Sequence, residues 1–395
     1  MKNAAFAYIR SIGSNLKEMS DKIFDNPETG LNEYQASALL CDWLEQEGFA
    51  IERGVGGLPT AFRAVYQQGE DGLSIGLLCE YDALDKMGHA CAHHLQGPCI
   101  LAAANSIKRS DISKPFKLVV YGTPAEETVS GKIIMLKGGC FQDIDVALMM
   151  HGGATTTVDV KSLANYLVEV EFFGTSSHAA IQPEMGRSAL DSLLIAFQGV
   201  EFLREHIPDD VRIHYAIRSS SDQPVNVVPD YAKALFSIRS NNVLTLDAVL
   251  ARFHNIMEGA ALMMGTKHTV TIKKQVANKI PSRRLNQVLV DNAKAINAPT
   301  IRPPRERTGS TDFGNIMQLI PGSCIRVAFV PEGTPSHSQG FLDAGKSEAA
   351  TEAMIVGAQV LAGAALDIIQ IDGLWEEIYQ DYEQEKNTLQ KEVIN

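Results

Sequence analysis

The feature that most restricts how this chain can fold is an alternation of apolar segments of strand length and helix length. Short apolar runs at residues 73–79, 116–121 and 146–150 are separated by helix-length segments such as 95–107. This alternation is typical of an α/β layer, in which mostly parallel central strands are covered by helices. We therefore expect an α/β domain with a central, mostly parallel sheet.

A second pattern of segment lengths interrupts the first. Strand-length and helix-length segments of a separate α+β type occur at 166–173, 189–204, 232–238, 246–264 and 268–272. The first pattern then returns, with a strand expected at 324–330 and a long helix at 347–369. We therefore predict one domain made of residues 1–162 and 285–395, into which a second domain, residues 163–284, is inserted.

The charge of the chain restricts its partners. A formal net charge of −12, with no clustered stripe of Lys and Arg, opposes binding to nucleic acid or to an anionic membrane. Residues 1–24 carry apolar side chains at helical spacing but lack the continuous apolar core of a signal peptide. The longest apolar stretch, 353–366, is shorter than a bilayer span. We expect no transmembrane segment, no nucleic-acid partner and no membrane partner.

Six cysteines are scattered along the chain without a CxxC pair. This pattern favours free thiols in a reducing compartment, and we predict a cytoplasmic protein.

Four short motifs carry side chains suited to metal chemistry. Cys91 and His93 lie between an expected strand and an expected helix, and Glu126 and Glu127 follow the run at 116–121. His151 ends the run at 146–150, and His337 follows the expected strand at 324–330. Each motif alone is weak evidence for a metal site, because polar loops, surface acidic residues and single histidines in loops are common in proteins without one. All four motifs, however, follow the presumed carboxyl ends of strands, where open α/β folds bind ligands.

The types of these side chains point to particular metals. Thiolate, imidazole and carboxylate together suit Zn, Mn, Co or Ni better than Mg or Ca, and the sequence does not choose among the first four. A bridging thiolate from Cys91 could hold two ions close enough to activate a shared water, with Glu126 as the base that takes its proton.

Eight motifs in a fixed order resemble one family. They are Glu80-Tyr-Asp82-Ala-Leu, Gly88-His-Ala-Cys-Ala-His93, Glu126-Glu127, His151-Gly-Gly, the segment 174–180, Asn226-Val-Val-Pro-Asp230, the segment 309–314 and the segment 334–338. The chain resembles the aminoacylase and carboxypeptidase metallopeptidases, in the amidohydrolase branch of p-aminobenzoyl-glutamate hydrolases and β-alanyl-lysine dipeptidase-like proteins. Indole-acetyl-amino-acid hydrolases are similar at a greater distance.

The resemblance implies a function and a fold. The implied activity is hydrolysis of the amide bond in N-acyl amino acids, aminobenzoyl-glutamate-like conjugates or unusual dipeptides. The implied cofactors are two divalent transition-metal ions per subunit. The implied fold is a catalytic α/β domain interrupted by a lid with a four-stranded antiparallel sheet and two helices, which is often the dimer surface. A homodimer through the lid domain is therefore expected.

The resemblance also implies roles for individual residues. The metal ligands would be Cys91, His93, Glu127, His151 and His337. Glu126 would be the general base and Asp82 would orient a metal ligand. His178 would reach a neighbouring subunit's active site and stabilise the oxyanion, while Asn226 and Arg239 would contact the substrate, Arg239 through a bidentate pair with a carboxylate.

Departures from the family pattern keep alternatives open. Ala92 stands where the branch usually has Gly, His94 stands where it has Asn or Asp, and Asp85 replaces a common Pro. A disabled metal site would make the chain a non-catalytic small-molecule-binding or sensor protein. Residues 340–347 also fit a phosphate-binding loop ending in Lys346-Ser347, but no strand is expected before them, and we interpret this as a chance match, with a nucleotidase as the third alternative. A Cys91 thiol nucleophile is a further alternative.

Overall fold

The computed structural model describes residues 1–219, 224–305 and 308–391. In these residues the helices are α1 (Lys2–Ser11), α2 (Gly13–Asp25), α3 (Tyr34–Gln46), α4 (Gln96–Lys108), α5 (Gly131–Lys137), α6 (Ala189–Leu203), α7 (Val243–Met264), α8 (Arg283–Ala295), α9 (Phe313–Met317), α10 (Gln339–Ala344), α11 (Glu348–Gln370) and α12 (Leu374–Lys391). The strands are β1 (Ala50–Arg53), β2 (Phe62–Gln68), β3 (Leu73–Cys79), β4 (Phe116–Gly122), β5 (Val146–Gly153), β6 (Thr157–Val158), β7 (Ala164–Phe173), β8 (Arg212–Ser219), β9 (Tyr231–Ser240), β10 (Lys267–Val276) and β11 (Gly322–Ala328).

The chain forms two compact units. The first contains Met1–Ser162 and Lys279–Thr388, and the second contains Leu163–Asn278 with the described residues from Leu389 onwards. The first unit resumes at Lys279, upstream of the boundary expected at 285. The backbone N–H of Lys279 donates to Ser162 Oγ at 2.9 Å, and Pro281 forms a bridge with Gly322, so this stretch is bonded to the first unit.

The first unit is built on a seven-stranded sheet in the order β1-β2-β4-β3-β5-β11-β6. The four strands β4, β3, β5 and β11 run parallel to one another, whereas β1, β2 and β6 pair antiparallel at the two sides. The predicted α/β layer with mostly parallel central strands is confirmed. Because the four central strands share one direction, the loops after their carboxyl ends emerge along a single edge of the sheet.

Helix α11 lies in the core of the first unit. Its length and composition would allow it to cross a membrane, but 89% of its most apolar window is buried inside the protein, as in the core helix of a globular fold. It begins where the Ser347 hydroxyl accepts a hydrogen bond from the backbone N–H of Ala350. The first residue of the predicted helix at 347–369 is thus the N-cap of the observed helix.

The second unit is a four-stranded antiparallel sheet in the order β10-β7-β9-β8, packed against α6 and α7. Side chains of β7 and β9 alternate between buried and partly exposed, which places one face of the sheet against the helices. This confirms the expected four-stranded sheet with two helices. Strand β8 was not predicted, because most of its residues are exposed and its sequence has no continuous apolar run. Strands β1 and β2 were also missed.

Candidate metal centre

Cys91 and His93 lie in the loop between β3 and α4. Ala92, between them, has a left-handed backbone with φ +64°, and its buried methyl faces Gly152. His93 Nδ1 is 3.0 Å from Asp82 Oδ1 and 3.1 Å from the backbone oxygen of Asp82, so this nitrogen carries the proton and donates. Nε2, which lies 3.2 Å from Glu80 Oε2, is therefore the nitrogen of His93 that could bind a metal ion.

The two neighbouring glutamates follow β4. The backbone N–H of Glu127 donates to Asp82 Oδ2 at 3.0 Å. The Asp82 carboxylate thus holds His93 with one oxygen and the Glu127 backbone with the other. A carboxylate that accepts from the distal nitrogen of a histidine is the usual support of a metal-binding imidazole.

His151 and His337 bring the remaining imidazoles to the thiol. His151 lies near the end of β5, with its Nε2 3.6 Å from Cys91 Sγ. His337 Nε2 lies 3.2 Å from the same sulfur and 3.1 Å from Glu127 Oε1. The backbone N–H of His337 donates to Ala90 O at 3.1 Å, which ties its loop to the one that holds Cys91.

The donor atoms fall into two triads that share the thiol. Cys91, His93 and His151 form one triad, and Cys91, Glu127 and His337 form the other, with the atoms of each within 4.8 Å of one another. Glu127 Oε1 is buried and lies 3.1 Å from His337 Nε2. Two triads of thiolate, imidazole and carboxylate donors around one sulfur fit a pair of divalent transition-metal ions.

Three residues with left-handed backbones position these loops. They are Ala92, Ala125, which precedes Glu126, and His337 itself, with φ values of +64°, +59° and +59°. The conformation costs a non-glycine residue about 1–2 kcal/mol, so packing elsewhere must hold each loop in place. One such contact is the hydrogen bond at 2.9 Å from the Ala125 backbone N–H to the buried Glu33 carboxylate.

The two adjacent glutamates have different proton affinities. Burial, together with the carboxylates of Glu80, Asp312 and Glu127, raises the pKa of Glu126 to about 8. Burial alone would also raise the pKa of Glu127, but the hydrogen bond from His337 and the charge of His93 lower it to about 2. Glu127 is thus suited to bind a cation, and Glu126 to take and release a proton near neutral pH.

The histidines beside Cys91 also differ. Hydrogen bonds to Cys91 and Glu127 raise the pKa of His337 to about 10. Burial, with the charge of Arg326, lowers the pKa of His151 to about 3. The pKa of His337 is raised because its ring faces the Cys91 sulfur and the Glu127 carboxylate, two groups that can also bind a cation.

Sequence reasoning missed a buried ion network beside this centre. Lys132 Nζ lies 2.5 Å from Glu80 Oε1 and 2.8 Å from Asp312 Oδ1, and all three side chains are almost completely buried. Glu80, Glu126 and Asp312 could together hold a cation, but the Lys132 ammonium already stands between Glu80 and Asp312. The available signal was a lysine within the otherwise apolar start of the segment 131–136.

The other two histidines of the motif face away from the thiol. His94 Nε2 donates to Gly345 O at 2.9 Å, and its ring packs edge-on against Phe24, with centroids 4.8 Å apart. His89 Nε2 lies 3.1 Å from the backbone oxygen of Ile23. In the part of the chain that the structure describes, neither belongs to a metal-binding group, so His94 is not a rival ligand.

The remaining predicted site residues lie in the second unit. His178 and Asn226 are exposed neighbours, joined where the backbone N–H of Ala179 donates to Asn226 O at 2.8 Å. Arg239 is exposed on β9, where its Nε donates to Ser237 Oγ at 3.2 Å. Their roles at the site stay predictions.

A cleft in the first unit contains the donor cluster. Its lining includes Cys91, Glu126, Glu127, His151 and His337. The match of residues 340–347 to a phosphate-binding loop is a chance match, because most of this segment forms helix α10 and the Lys346 ammonium pairs with Asp25 at 2.8 Å on the surface.

The chain thus combines an α/β unit that contains this donor set with an inserted α+β unit. The sequence profile of peptidase family M20/M25/M40 matches residues 65–367, and the chain belongs to this family. It is therefore an enzyme of the amidohydrolase or dipeptidase kind.

Two curated relatives cover nearly the whole chain. The chain is 29% identical to one subunit of the p-aminobenzoyl-glutamate hydrolase of Escherichia coli, over 94% of this chain and 92% of that protein. It is 31% identical to the Xaa-Arg dipeptidase of Mus musculus, over 100% of this chain and 94% of that protein. These similarities confirm the resemblance to the amidohydrolase branch.

Solved structures share the fold. An aminobenzoyl-glutamate utilization protein from Klebsiella pneumoniae aligns with a TM-score of 0.71 at 19% identity, covering 92% of this chain and 98% of that one. The YXEP protein of Bacillus subtilis, described as a dinuclear metal binding peptidase, aligns with a TM-score of 0.68 at 19% identity, covering 91% and 99%.

Proposed function

We propose that this enzyme is a metal-dependent hydrolase of amide bonds in N-acyl amino acids, aminobenzoyl-glutamate-like conjugates or unusual dipeptides. The observation that supports it best is the pair of donor triads that share the Cys91 thiol beside Glu126. The ligands would be Cys91, His93, Glu127, His151 and His337, and they would hold two divalent ions among Zn, Mn, Co and Ni.

Each residue of the centre has a chemical task in this proposal. Bound divalent ions act as Lewis acids, which polarise a carbonyl group and make water more acidic. Glu126 takes the proton from the attacking water and passes it to the departing amide nitrogen. Burial and neighbouring carboxylates raise the pKa of Glu126 to about 8, and cations held by the neighbouring donors would lower it and favour the ionised carboxylate. Asp82 holds His93 and the Glu127 backbone in position.

The proposal is tested by metal removal and by a matched pair of neighbouring variants. Dialysis against a chelator should abolish turnover of an amide panel, and Mn²⁺ or Zn²⁺ should restore it. Glu126→Gln should lose turnover by at least about 100-fold while keeping its metal, because it removes the base alone. Glu127→Gln should lose metal as measured by elemental analysis. Activity that ignores the chelator, or equal metal loss in both variants, would contradict the assignment.

We also propose that the second unit forms a homodimer and contributes His178, Asn226 and Arg239 to substrate binding and oxyanion stabilisation. Strand β8 is an edge of its sheet and exposes Ile217 by 53%, whereas the opposite edge, β10, carries Lys267, Lys273 and Lys274. Lysines protect an edge from pairing, and an exposed apolar edge favours it. Ile217→Lys should therefore halve the mass measured by light scattering, and an unchanged mass would exclude this edge.

The six cysteines are free and buried, which suits the cytoplasmic location that we propose.

A further inference from the structure

The segment between α2 and α3, residues 26–33, contacts two loops that carry groups of the metal centre. We call this segment the α2–α3 connector. In the loop after β3, the backbone N–H of Ala83 donates to Glu28 O at 2.7 Å. In the loop after β4, the backbone N–H of Ala125 donates to Glu33 Oε1 at 2.9 Å. The connector therefore holds one loop with its backbone and the other with a side chain.

The Glu33 carboxylate is fixed by two further hydrogen bonds. Its Oε1 also accepts from the backbone N–H of Leu31 at 3.0 Å, and its Oε2 accepts from the Thr60 hydroxyl at 3.0 Å. The residue is fully buried, and within the described chain no Lys, Arg or His pairs with it. A carboxylate withdrawn from water is costly unless hydrogen bonds compensate it. Glu33 is therefore tied to its three donors.

Ala125 is the point at which the chain turns from β4 towards the two glutamates. Its backbone is left-handed, with φ +59°, and its carbonyl accepts from the backbone N–H of Ser130 at 2.9 Å, which closes the turn. Such a conformation persists only when the surrounding structure fixes it. The hydrogen bond to Glu33 fixes the Ala125 peptide from outside the turn. Rotation of this peptide would redirect Glu126 and Glu127 together.

The connector also packs against the far side of this turn. A methyl group placed on Gly30 would lie 2.2 Å from Thr128 Oγ1, so the connector backbone lies directly against the residue that follows Glu127. The connector thus contacts the turn both before and after the two glutamates.

We propose that Glu33 is a positioning residue of this enzyme, which holds the turn at Ala125 so that Glu126 faces the reacting water. The inference rests on the proposed amide hydrolysis, in which Glu126 is the base. Within the described chain Glu33 is not part of the cleft lining, so it acts through the turn and not on the substrate. Its reach is essential, because one carboxylate must meet Thr60 and Ala125 at the same time, whereas its charge is not.

The test separates the reach of this side chain from its charge. Glu33→Gln keeps the reach, since its carbonyl oxygen can accept from Leu31 and Ala125 and its amide can donate to the Thr60 hydroxyl. Glu33→Asp keeps the charge but is shorter by one methylene. Glu33→Gln should retain kcat within about threefold and Glu33→Asp should lose about 10-fold to 100-fold, because a misplacement of about 1 Å can cost about 100-fold. KM should change less than about threefold in both, since no contact with the substrate is removed.

Thr60→Val is the matched control. It removes a hydrogen bond to the same carboxylate but leaves the bond from Ala125 to Glu33 in place. Thr60→Val and Glu33→Asp should both lower the melting temperature, yet Thr60→Val should keep kcat within about threefold. Kinetics are measured with and without excess Mn²⁺ or Zn²⁺. A kcat of Glu33→Asp that excess metal restores to the wild-type value would overturn the inference, because Glu33 would then act on metal binding.

Amide hydrogen exchange of residues 124–131, followed by mass spectrometry, gives a readout without turnover. Exchange should be faster than in wild type for Glu33→Asp alone, because only there does the Ala125 N–H lose its acceptor. Glu33→Gln and Thr60→Val should exchange as slowly as wild type.

The two readouts give distinct failures. If wild type cleaves no amide, the proposed function fails and exchange alone decides the inference: the expected pattern supports it, and equal exchange in the three variants overturns it. If amides are cleaved but Glu33→Asp keeps its kcat, or Glu33→Gln loses as much, the inference is overturned while the hydrolase stands. Should Glu33→Asp not fold, Gly30→Ala displaces the same turn at Thr128 and should show the same loss of kcat, and an unchanged kcat would overturn the inference.

Discussion

Replacing Lys132 by methionine should destabilise the first unit more than any surface change of the same kind. The ammonium of Lys132 makes two charge-assisted hydrogen bonds, to Glu80 and to Asp312, in a site that excludes water. Such bonds are worth about 1.5–3 kcal/mol each, which gives roughly 3–6 kcal/mol for the two. Breaking a buried ion pair by removing one partner costs about 3–5 kcal/mol.

The surroundings place the expected loss near the lower end of that range. Glu80 keeps the hydrogen bond at 2.8 Å from the Gln96 amide, and Asp312 keeps the one at 3.1 Å from the Lys132 backbone N–H. We therefore expect Lys132→Met to lower the free energy of unfolding by about 3 kcal/mol at neutral pH.

Urea denaturation followed by tryptophan fluorescence measures this loss in the correct unit, because both tryptophans, Trp43 and Trp375, belong to the first unit. Lys137→Met is the matched control: the same change at the exposed end of the same helix should cost less than about 0.5 kcal/mol. Equal stability of the two variants would refute the reasoning that the Lys132 network supports the fold.

Three further predictions follow from buried groups. Burial alone would raise the pKa of Asp159, but its cationic partners hold that pKa well below the usual value. The ionised carboxylate therefore stabilises the folded state above pH ~4, and this contribution is lost as the pH falls below that value. The difference in melting temperature between wild type and Asp159→Asn should shrink from about pH 7 to about pH 3. Ala92→Gly relieves about 1–2 kcal/mol of backbone strain at a position with positive φ. It also loses a buried methyl worth about 0.8 kcal/mol and increases the conformational entropy of the unfolded chain, which costs about 0.4–1 kcal/mol. The free energy of unfolding should therefore change by less than about 1 kcal/mol. His94→Ala should destabilise by about 1–3 kcal/mol, since it leaves Gly345 O without its donor, and elemental analysis should find its metal content unchanged.

Local patterns in the sequence were sufficient for the architecture. Apolar runs of strand and helix length predicted β3, β4, β5, α4 and α11 within a few residues of their observed bounds, because burial on both faces of a central strand demands a continuous apolar run. Edge strands such as β8 were not predicted, because an exposed strand does not need a continuous apolar run.

The direction of each functional side chain could not be read from the sequence. The sequence does not distinguish His89, His93 and His94, yet within the described chain only His93 belongs to a group that could hold a metal ion. The left-handed turn at Ala92 lies between Cys91 and the two later histidines. A change of one backbone angle redirects every side chain that follows, and long-range packing sets that angle.

The charged networks depended on the tertiary structure for the same reason. The sequence determined the α/β alternation, the inserted unit and the presence of thiolate, imidazole and carboxylate groups after successive strands. Only the folded chain decided that Lys132 pairs with Asp312, 180 positions away, and that three distant cations meet at Asp159. Ion pairs of this kind leave no local pattern, because each partner is selected by the geometry of elements far apart in the chain.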